Sequence, residues 1–219
     1  MNPQYKVIRK HTKVLKIYVK RNGEVHIVVP ILAKSSDVTA WIAKKQAWID
    51  KHLAQIAAQQ QQPSPFQLAP HQLLFLGEKY TFSHQPQLQA VQIDDTQRTI
   101  EAPVNLLHSR PQLQWYKQEA KQRLTQRVFE LADLHGFTVK KVFIRSQRTK
   151  WGTCSSLGNI GLNYKLIKTP CWIQDYIILH ELAHFRHMNH SPAFWSVVAQ
   201  LCPAYRDAEK WIRLHERWV

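Results

Sequence analysis

The sequence predicts a mixed α+β protein, and three observations carry that reading. The first hundred residues hold short β-branched runs separated by turn residues; residues 111–135 repeat apolar side chains at helical spacing; and from residue 139 onward a further set of strand-like runs leads into a helix. At 219 residues the chain can bury a sizeable core without covalent staples. Its three cysteines, Cys154, Cys171 and Cys202, are too few and too scattered for a disulfide framework or a four-thiolate metal site, which fits a reducing, cytoplasmic setting. The first twenty residues interleave lysines with β-branched residues and offer no continuous apolar stretch, so neither a signal peptide nor a membrane span is expected.

Taken in order, "KVLKIYVK" and "EVHIVVP" read as two strands joined through "RNGE", with Asn22-Gly23 suited to a type I′ hairpin turn. Ser35 or Ser36 then serves as an N-cap, and Val38, Trp41, Ile42, Trp48, Ile49, Leu53 and Ile56 recur at helical spacing to about Ala58, both tryptophans being expected in the core. "QQQQPSP" breaks that helix as a polar linker. The runs "QLLFLG", "KYTF" and "AVQID" predict a small antiparallel sheet, so residues 1–105 form an N-terminal hairpin, helix and sheet segment. The second segment, residues 106–219, opens with a long amphipathic helix carrying Leu113, Tyr116, Ala120, Leu124, Val128 and Leu131, with Gly136 at its C-terminal end. "VKKVFIR" follows as a strand, and Ser156 to Asn159 turns the chain between two more. Thr169-Pro170 starts the next helix, which runs into "HELAHFRHMNH". No internal repeat is visible.

Charge is the strongest bulk signal: 30 basic against 15 acidic residues, a net +15. Residues 1–58 carry eleven Lys or Arg against Glu24, Asp37 and Asp50, and residues 134–174 carry seven basic residues and no acid. Such asymmetry attracts nucleic acid, nucleotides or acidic polypeptides, or simply solvates the surface.

The histidine cluster carries the chemistry. Residues four apart on a helix differ by about 40° in azimuth and about 6 Å in rise, so His180 and His184 can direct their imidazoles at one ion. Glu181, one position along, is placed to act as general base on a zinc-bound water, the H-E-x-x-H arrangement of metallopeptidases. On a straight helix His187 would lie about 10 Å beyond His180, too far for a shared ion. His190 serves if the helix stops and the chain folds back, and "MNHSP" is suited to that: Asn189 tolerates the left-handed conformation, and Ser191-Pro192 reads as N-cap and first residue of a new helix. The predicted ligands of a single Zn²⁺ are therefore His180, His184 and His190, with Glu209 a weaker alternative to the third. His187 stands where the metzincin spacing H-E-x-x-H-x-x-G-x-x-H has glycine, and is expected to face solvent, support a ligand or touch substrate.

"RTKWGTCSSLGNIGLNYKLI" followed by "YIILHELAHFRHMNHSPAFW" resembles the YgjP-like family of small zinc-dependent metallohydrolases, relatives of the WLM and SprT-like metallopeptidases. The similarity is specific over about residues 140–215, and the N-terminal hairpin and tryptophan helix are similar to that family's leading segment. The resemblance implies a minimal zincin-like core: a long helix, a small twisted and mostly antiparallel sheet, the H-E-x-x-H helix and C-terminal helices. It also implies a strand beside the active-site helix that receives extended substrate, for which Asn159, Ile160, Gly161, Leu162 and Asn163 are the expected residues. Arg148, Trp151, Gly152 and Cys154 match the family's R-x-x-W-G-x-C pattern, with Arg148 and Trp151 expected near substrate and Cys154 a packed thiol. Tyr164, Tyr205 and Arg206 are the expected oxyanion stabilisers, and spacing does not choose among them.

These expectations favour a zinc peptidase acting on peptide or protein. Two other readings follow from the charge: hydrolysis of a nucleoside triphosphate, which lacks support from a P-loop or a carboxylate cluster, and a basic docking module for nucleic acid or an acidic partner with a structural zinc. Structural zinc usually has four protein ligands, so that last reading needs His187 or another residue to close the site. No feature sets an oligomeric state.

Overall fold

"VHIVVP" alternates strictly, and in the computed structural model, which describes residues 5–20, 22–61 and 64–216, it becomes the central strand of a three-stranded sheet. This strand, β3 (Val25–Pro30), buries Val25, Ile27 and Val29 completely and turns His26, Val28 and Pro30 to the opposite face. β2 (Lys16–Val19) pairs with it antiparallel, as the hairpin reading expects. The turn differs. Among the described residues of the turn only Gly23 has a positive φ, and its N–H bonds Lys20 O at 2.9 Å while Lys20 N–H bonds Glu24 O at 2.8 Å. Asn22 has no positive φ, so the pair does not form a type I′ turn, and Asn22 instead accepts the Glu24 N–H on its side chain. On the other side of β3 lies β1 (Tyr5–Lys10), parallel to it, a strand the lysine-rich start concealed.

Helix α1 (Ser35–Gln61) covers the buried face of this sheet, with Val38 and Ile49 in the core and Trp41, Ile42 and Leu53 packed against it. Each fully buried aliphatic side chain here contributes about 1.5–3 kcal/mol. Trp48 is not a core residue: it is 43% exposed and lies over His52, four residues on, with ring centroids 3.9 Å apart. Contacts divide the chain into Met1–Ser64 and Pro65–Val219. The division expected at residues 105/106 thus falls inside the second unit.

The reason lies in the packing of the second sheet. Its strands β4 (Gln72–Phe75), β5 (Glu78–His84), β6 (Gln92–Asp94) and β7 (Thr99–Ala102) are ordered β4-β5-β7-β6. Phe75, Tyr80, Phe82 and Ile100 share one continuous core with Trp115, Tyr116 and Leu124 of the long helix. The Tyr116 hydroxyl donates to Leu74 O at 2.8 Å, tying helix to sheet. The sheet is mixed rather than antiparallel, because β5 and β7 pair in parallel.

The long helix appears as α2 (Ser109–Glu119), a π turn over Ala120–Leu124, and α3 (Thr125–Leu134). Tyr116, Ala120, Leu124 and Val128 are all buried although each step is four residues. In a plain α-helix that spacing drifts by about 40° per step; the wider π turn absorbs the drift and keeps the stripe on the core. Leu113, by contrast, is 39% exposed. Gly136, with φ +70°, follows the C-terminal end as expected.

The third sheet is ordered β8-β10-β9, from β8 (Lys141–Arg145), β9 (Gly152–Cys154) and β10 (Asn159–Asn163). β10 is parallel to β8 and antiparallel to β9. A 3₁₀ turn, Tyr164–Lys168, then leads into α4 (Cys171–Ala183), α5 (Pro192–Leu201) and α6 (Tyr205–His215). Among the described residues no helix is long and apolar enough to cross a membrane.

Candidate metal centre

Helix α4 is apolar on nearly every side, as a helix buried in the middle of a core must be. Its start is fixed by the β4–β5 turn: Leu76 and Gly77 donate their N–H groups to Ile167 O and Lys168 O at 2.9 and 3.0 Å. Gly77 has φ +83°, and a Cβ there would fall 2.6 Å from Pro170 Cγ, so only glycine permits this approach. Along its length α4 is held to α3 by a two-pronged bridge, Arg127 Nε and Nη2 donating to the two Asp175 oxygens at 2.7 and 2.8 Å.

The helix ends at Ala183, with His184 as its cap residue. Its last turn tightens through N–H bonds from Phe185 to Leu182 O and from Arg186 to Ala183 O, both 3.0 Å. Asn189 does not adopt the expected left-handed conformation; among the described non-glycine residues only Leu76 and Arg98 have positive φ. The chain reverses through this tight turn, and Ser191 then caps α5, its hydroxyl accepting the Phe194 N–H at 3.4 Å, with Pro192 in the first turn as expected.

This reversal brings His190 back beside α4. One nitrogen from each of His180, His184 and His190 lies within 4.8 Å of the others. His180 Nε2 and His190 Nε2 are 3.1 Å apart. Ligands about 2.0–2.1 Å from a tetrahedral zinc would be spaced by about 3.3 Å, so the arrangement fits such an ion. Two imidazole nitrogens this close must share a proton or converge on a cation. Burial pushes the His180 imidazole down to about 4, with His184 and His190 adding repulsion, and burial likewise lowers His184. Neutral rings with free lone pairs are what a metal requires. His184 Nδ1 lies 3.0 Å from the His187 carbonyl. A carbonyl only accepts, so Nδ1 carries the proton and Nε2 keeps its lone pair for a metal. His187 contributes through its main chain. Glu209 is not part of the three-nitrogen cluster.

Glu181 is 6% exposed, and burial pushes its carboxyl up to about 8 against an opposing pull from Lys150. Gly152 makes the space it occupies. A Cβ on Gly152 would overlap Glu181 Oε1 and fall 2.6 Å from its Cγ.

The cluster opens into a cleft of about 640 Å³. Trp151, Gly152, Thr153 and Cys154 form one wall, and Tyr176 and Glu209 lie along it with the histidines. β9, not β10, is therefore the strand at the cleft. Asn159 to Asn163 occupy the central strand, paired on both sides, with Ile160 and Leu162 fully buried, and so cannot receive a further strand. Pairing of β8 with β10 is non-local, which is why a strand following a turn resembled an edge. Asn163 instead braces a loop. Its amide donates to Gln147 O and Lys150 O at 2.7 and 3.0 Å, and its side-chain oxygen accepts from Lys165 N at 3.1 Å. It thereby fixes the segment that delivers Trp151 and Gly152.

None of the expected oxyanion groups lines the cleft. Tyr164 lies under the Lys117 ammonium, Tyr205 is stacked on Trp195 at 5.6 Å, and Arg206 extends over Tyr205. Arg148 is exposed outside it, while Trp151 lines it as expected. Cys154 lines the cleft, and burial together with the Glu181 charge raises its thiol to about 12, which disfavours the thiolate a nucleophile needs. Tyr176 is the hydroxyl the sequence reading missed. Its position four residues before His180, on the same helical face, was the available signal.

The family model for the YgjP-like metallopeptidase domain matches residues 13–215. The chain belongs to the YgjP-like metallopeptidase family. Metallopeptidase membership implies a bound metal and peptide or protein substrates, and the three histidines of this YgjP-like chain could hold the metal. Among solved structures, the YgjP-like chain is similar to the metallopeptidase zymogen abylysin of Pyrococcus abyssi, at 25% identity over 41% of this chain and 90% of that one, with a TM-score of 0.38. No curated protein matches its sequence.

Proposed function

We propose that this YgjP-like protein is a zinc peptidase in which His180, His184 and His190 hold one zinc ion and Glu181 is the general base. The observation that carries the reading is the convergence of three imidazole nitrogens beside one buried carboxylate. Zinc, when bound, supplies a Lewis acid for the scissile carbonyl and lowers the pKa of water toward neutrality. Glu181 takes the proton of the attacking water and returns it to the leaving amine nitrogen. Its burial favours this, because an apolar surround raises the affinity of the carboxylate for a proton.

Substrate orientation is assigned to the free edge of β9. Its other edge is paired with β10 through Thr153 opposite Gly161, which leaves main-chain groups of the 152–154 segment to pair with an extended peptide. Tyr176, whose hydroxyl burial keeps protonated, is the proposed donor to the developing oxyanion. The triphosphate reading loses support in the same cleft: Glu209 and Glu216 line it together with Lys150 and Arg213, and carboxylates repel phosphate.

The deciding experiment is Glu181→Gln with zinc content and cleavage of an unstructured protein such as casein measured together. The reading expects zinc retained and turnover reduced by at least about 10³-fold. Undiminished cleavage, or hydrolysis of nucleotides but not of peptides by the parent protein, overturns it.

A further inference from the structure

The N-terminal sheet has a second face that α1 does not cover. Alternation places Lys6, Ile8 and Lys10 of β1, Lys16 and Tyr18 of β2, and His26 and Val28 of β3 on it, because their neighbours Ile17, Val19, Val25, Ile27 and Val29 belong to the core side. Registers align these residues into rows: Lys6, His26 and Tyr18 lie side by side, and Ile8, Val28 and Lys16 form the next row. Tyr18 is 51% exposed. Ile8, Lys10, Lys16, Tyr18, His26 and Val28 line one shallow groove. No carboxylate lines it. Glu24, at its rim, is engaged by Lys20 at 2.9 Å and His26 at 3.1 Å. Among the described residues, no ion pair involves Lys6, Lys10 or Lys16.

We propose that this face binds single-stranded nucleic acid, with Tyr18 stacking a base and Lys6, Lys10 and Lys16 neutralising phosphates. Charge complementarity selects a polyanion, and the chain's net +15 reinforces it at longer range. The exposed aromatic ring on a flat apolar strip selects nucleic acid over an acidic peptide, since a base offers Tyr18 a stacking partner and an aspartate or glutamate side chain does not. Duplex is disfavoured because its bases are already stacked on one another. The assignment is independent of the peptidase reading and survives or fails without it.

The test is fluorescence anisotropy of the full-length protein with labelled oligothymidylate and oligouridylate, across a salt series, with unlabelled duplex and polyglutamate as competitors. Binding should weaken with salt with a log–log slope of roughly −2, as three phosphate contacts on a single strand require. Tyr18→Ala should weaken it by about tenfold while Tyr18→Phe retains it. The combined K10E and K16E substitutions should abolish it, and K140E with K141E, in the other basic segment, should weaken it by no more than about threefold, the long-range effect of the lower net charge. Circular dichroism of each variant checks that the sheet is intact, which the exposure of these side chains predicts. Absence of binding, insensitivity to the Tyr18 and lysine substitutions, loss through Lys140 and Lys141 instead, or equal displacement by polyglutamate would each overturn the proposal.

Discussion

Gly152 and Glu181 occupy one another's space: the carboxylate of Glu181 fills the volume that any larger residue at 152 would need, with a Cβ there only 2.6 Å from Glu181 Cγ. Glycine is required here for close approach and not for its φ, which is not positive. Gly152→Ala should therefore displace the carboxylate and lower kcat by about 10²-fold or more, since misplacing a reacting group by about 1 Å costs that much. Zinc content should stay at the parent level, because the three atoms nearest the new Cβ all belong to Glu181 and none to the three histidines. Metal analysis beside kinetics checks both halves.

The two outer histidines of the cluster region should behave oppositely. His190 offers a ring nitrogen to the cluster, whereas His187 acts through its carbonyl on His184. His190→Ala should lose zinc affinity by well over 10²-fold, and His187→Ala should retain it to within about tenfold. Competition against a chromophoric chelator measures the difference.

Asn163 is 4% exposed and satisfies two carbonyls of the 147–150 loop and one N–H of the following turn. Asn163→Ala leaves those groups short of partners, at a cost of about 2–3 kcal/mol in urea unfolding. Activity should fall as well, since the same loop carries Trp151 and Gly152 to the cleft.

Lys168 offers a pH test. Burial, aided by repulsion from Lys165, lowers its ammonium from 10.5 to about 8, and the charge lies 4.5 Å from the centre of the Tyr116 ring. Below pH 8 the folded protein carries the full cost of burying that charge. Between pH 8 and 10.5 the unfolded chain holds a proton the folded chain has released, so rising pH removes the penalty. Lys168→Met should stabilise by about 2 kcal/mol at pH 7, after the lost ring contact is deducted, and the advantage should shrink as pH climbs past about 8. Urea midpoints at pH 7 and pH 10 measure it.

Local chemistry made much of this legible. Helical periodicity alone pairs His180 with His184, and the Ser191-Pro192 cap signals the reversal that returns His190. The strand alternation of residues 25–30 and the stripe along residues 116–131 likewise follow from periods of two and of about four. What stayed hidden depends on partners distant in sequence. Whether Asn159–Asn163 is a central or an edge strand is decided by β8, and whether residues 72–102 stand apart is decided by Trp115 and Tyr116. Trp48 has the same helical spacing as Trp41, yet only Trp41 packs against the sheet's core while Trp48 is exposed. Tyr164, Tyr205 and Arg206 carried suitable functional groups but were directed elsewhere by neighbours that the sequence does not name.

The π turn at Ala120–Leu124 amounts to one extra residue threaded into a helix. Closing this turn into ordinary α-helical bonding with no residue removed would rotate everything C-terminal by about 100° relative to everything before it. Arg127 would then swing away from Asp175, and Val128 and Leu131 would be carried toward water. The widened turn, which cancels the rotation its extra residue would add, keeps α3 aimed at the helix that bears the histidines.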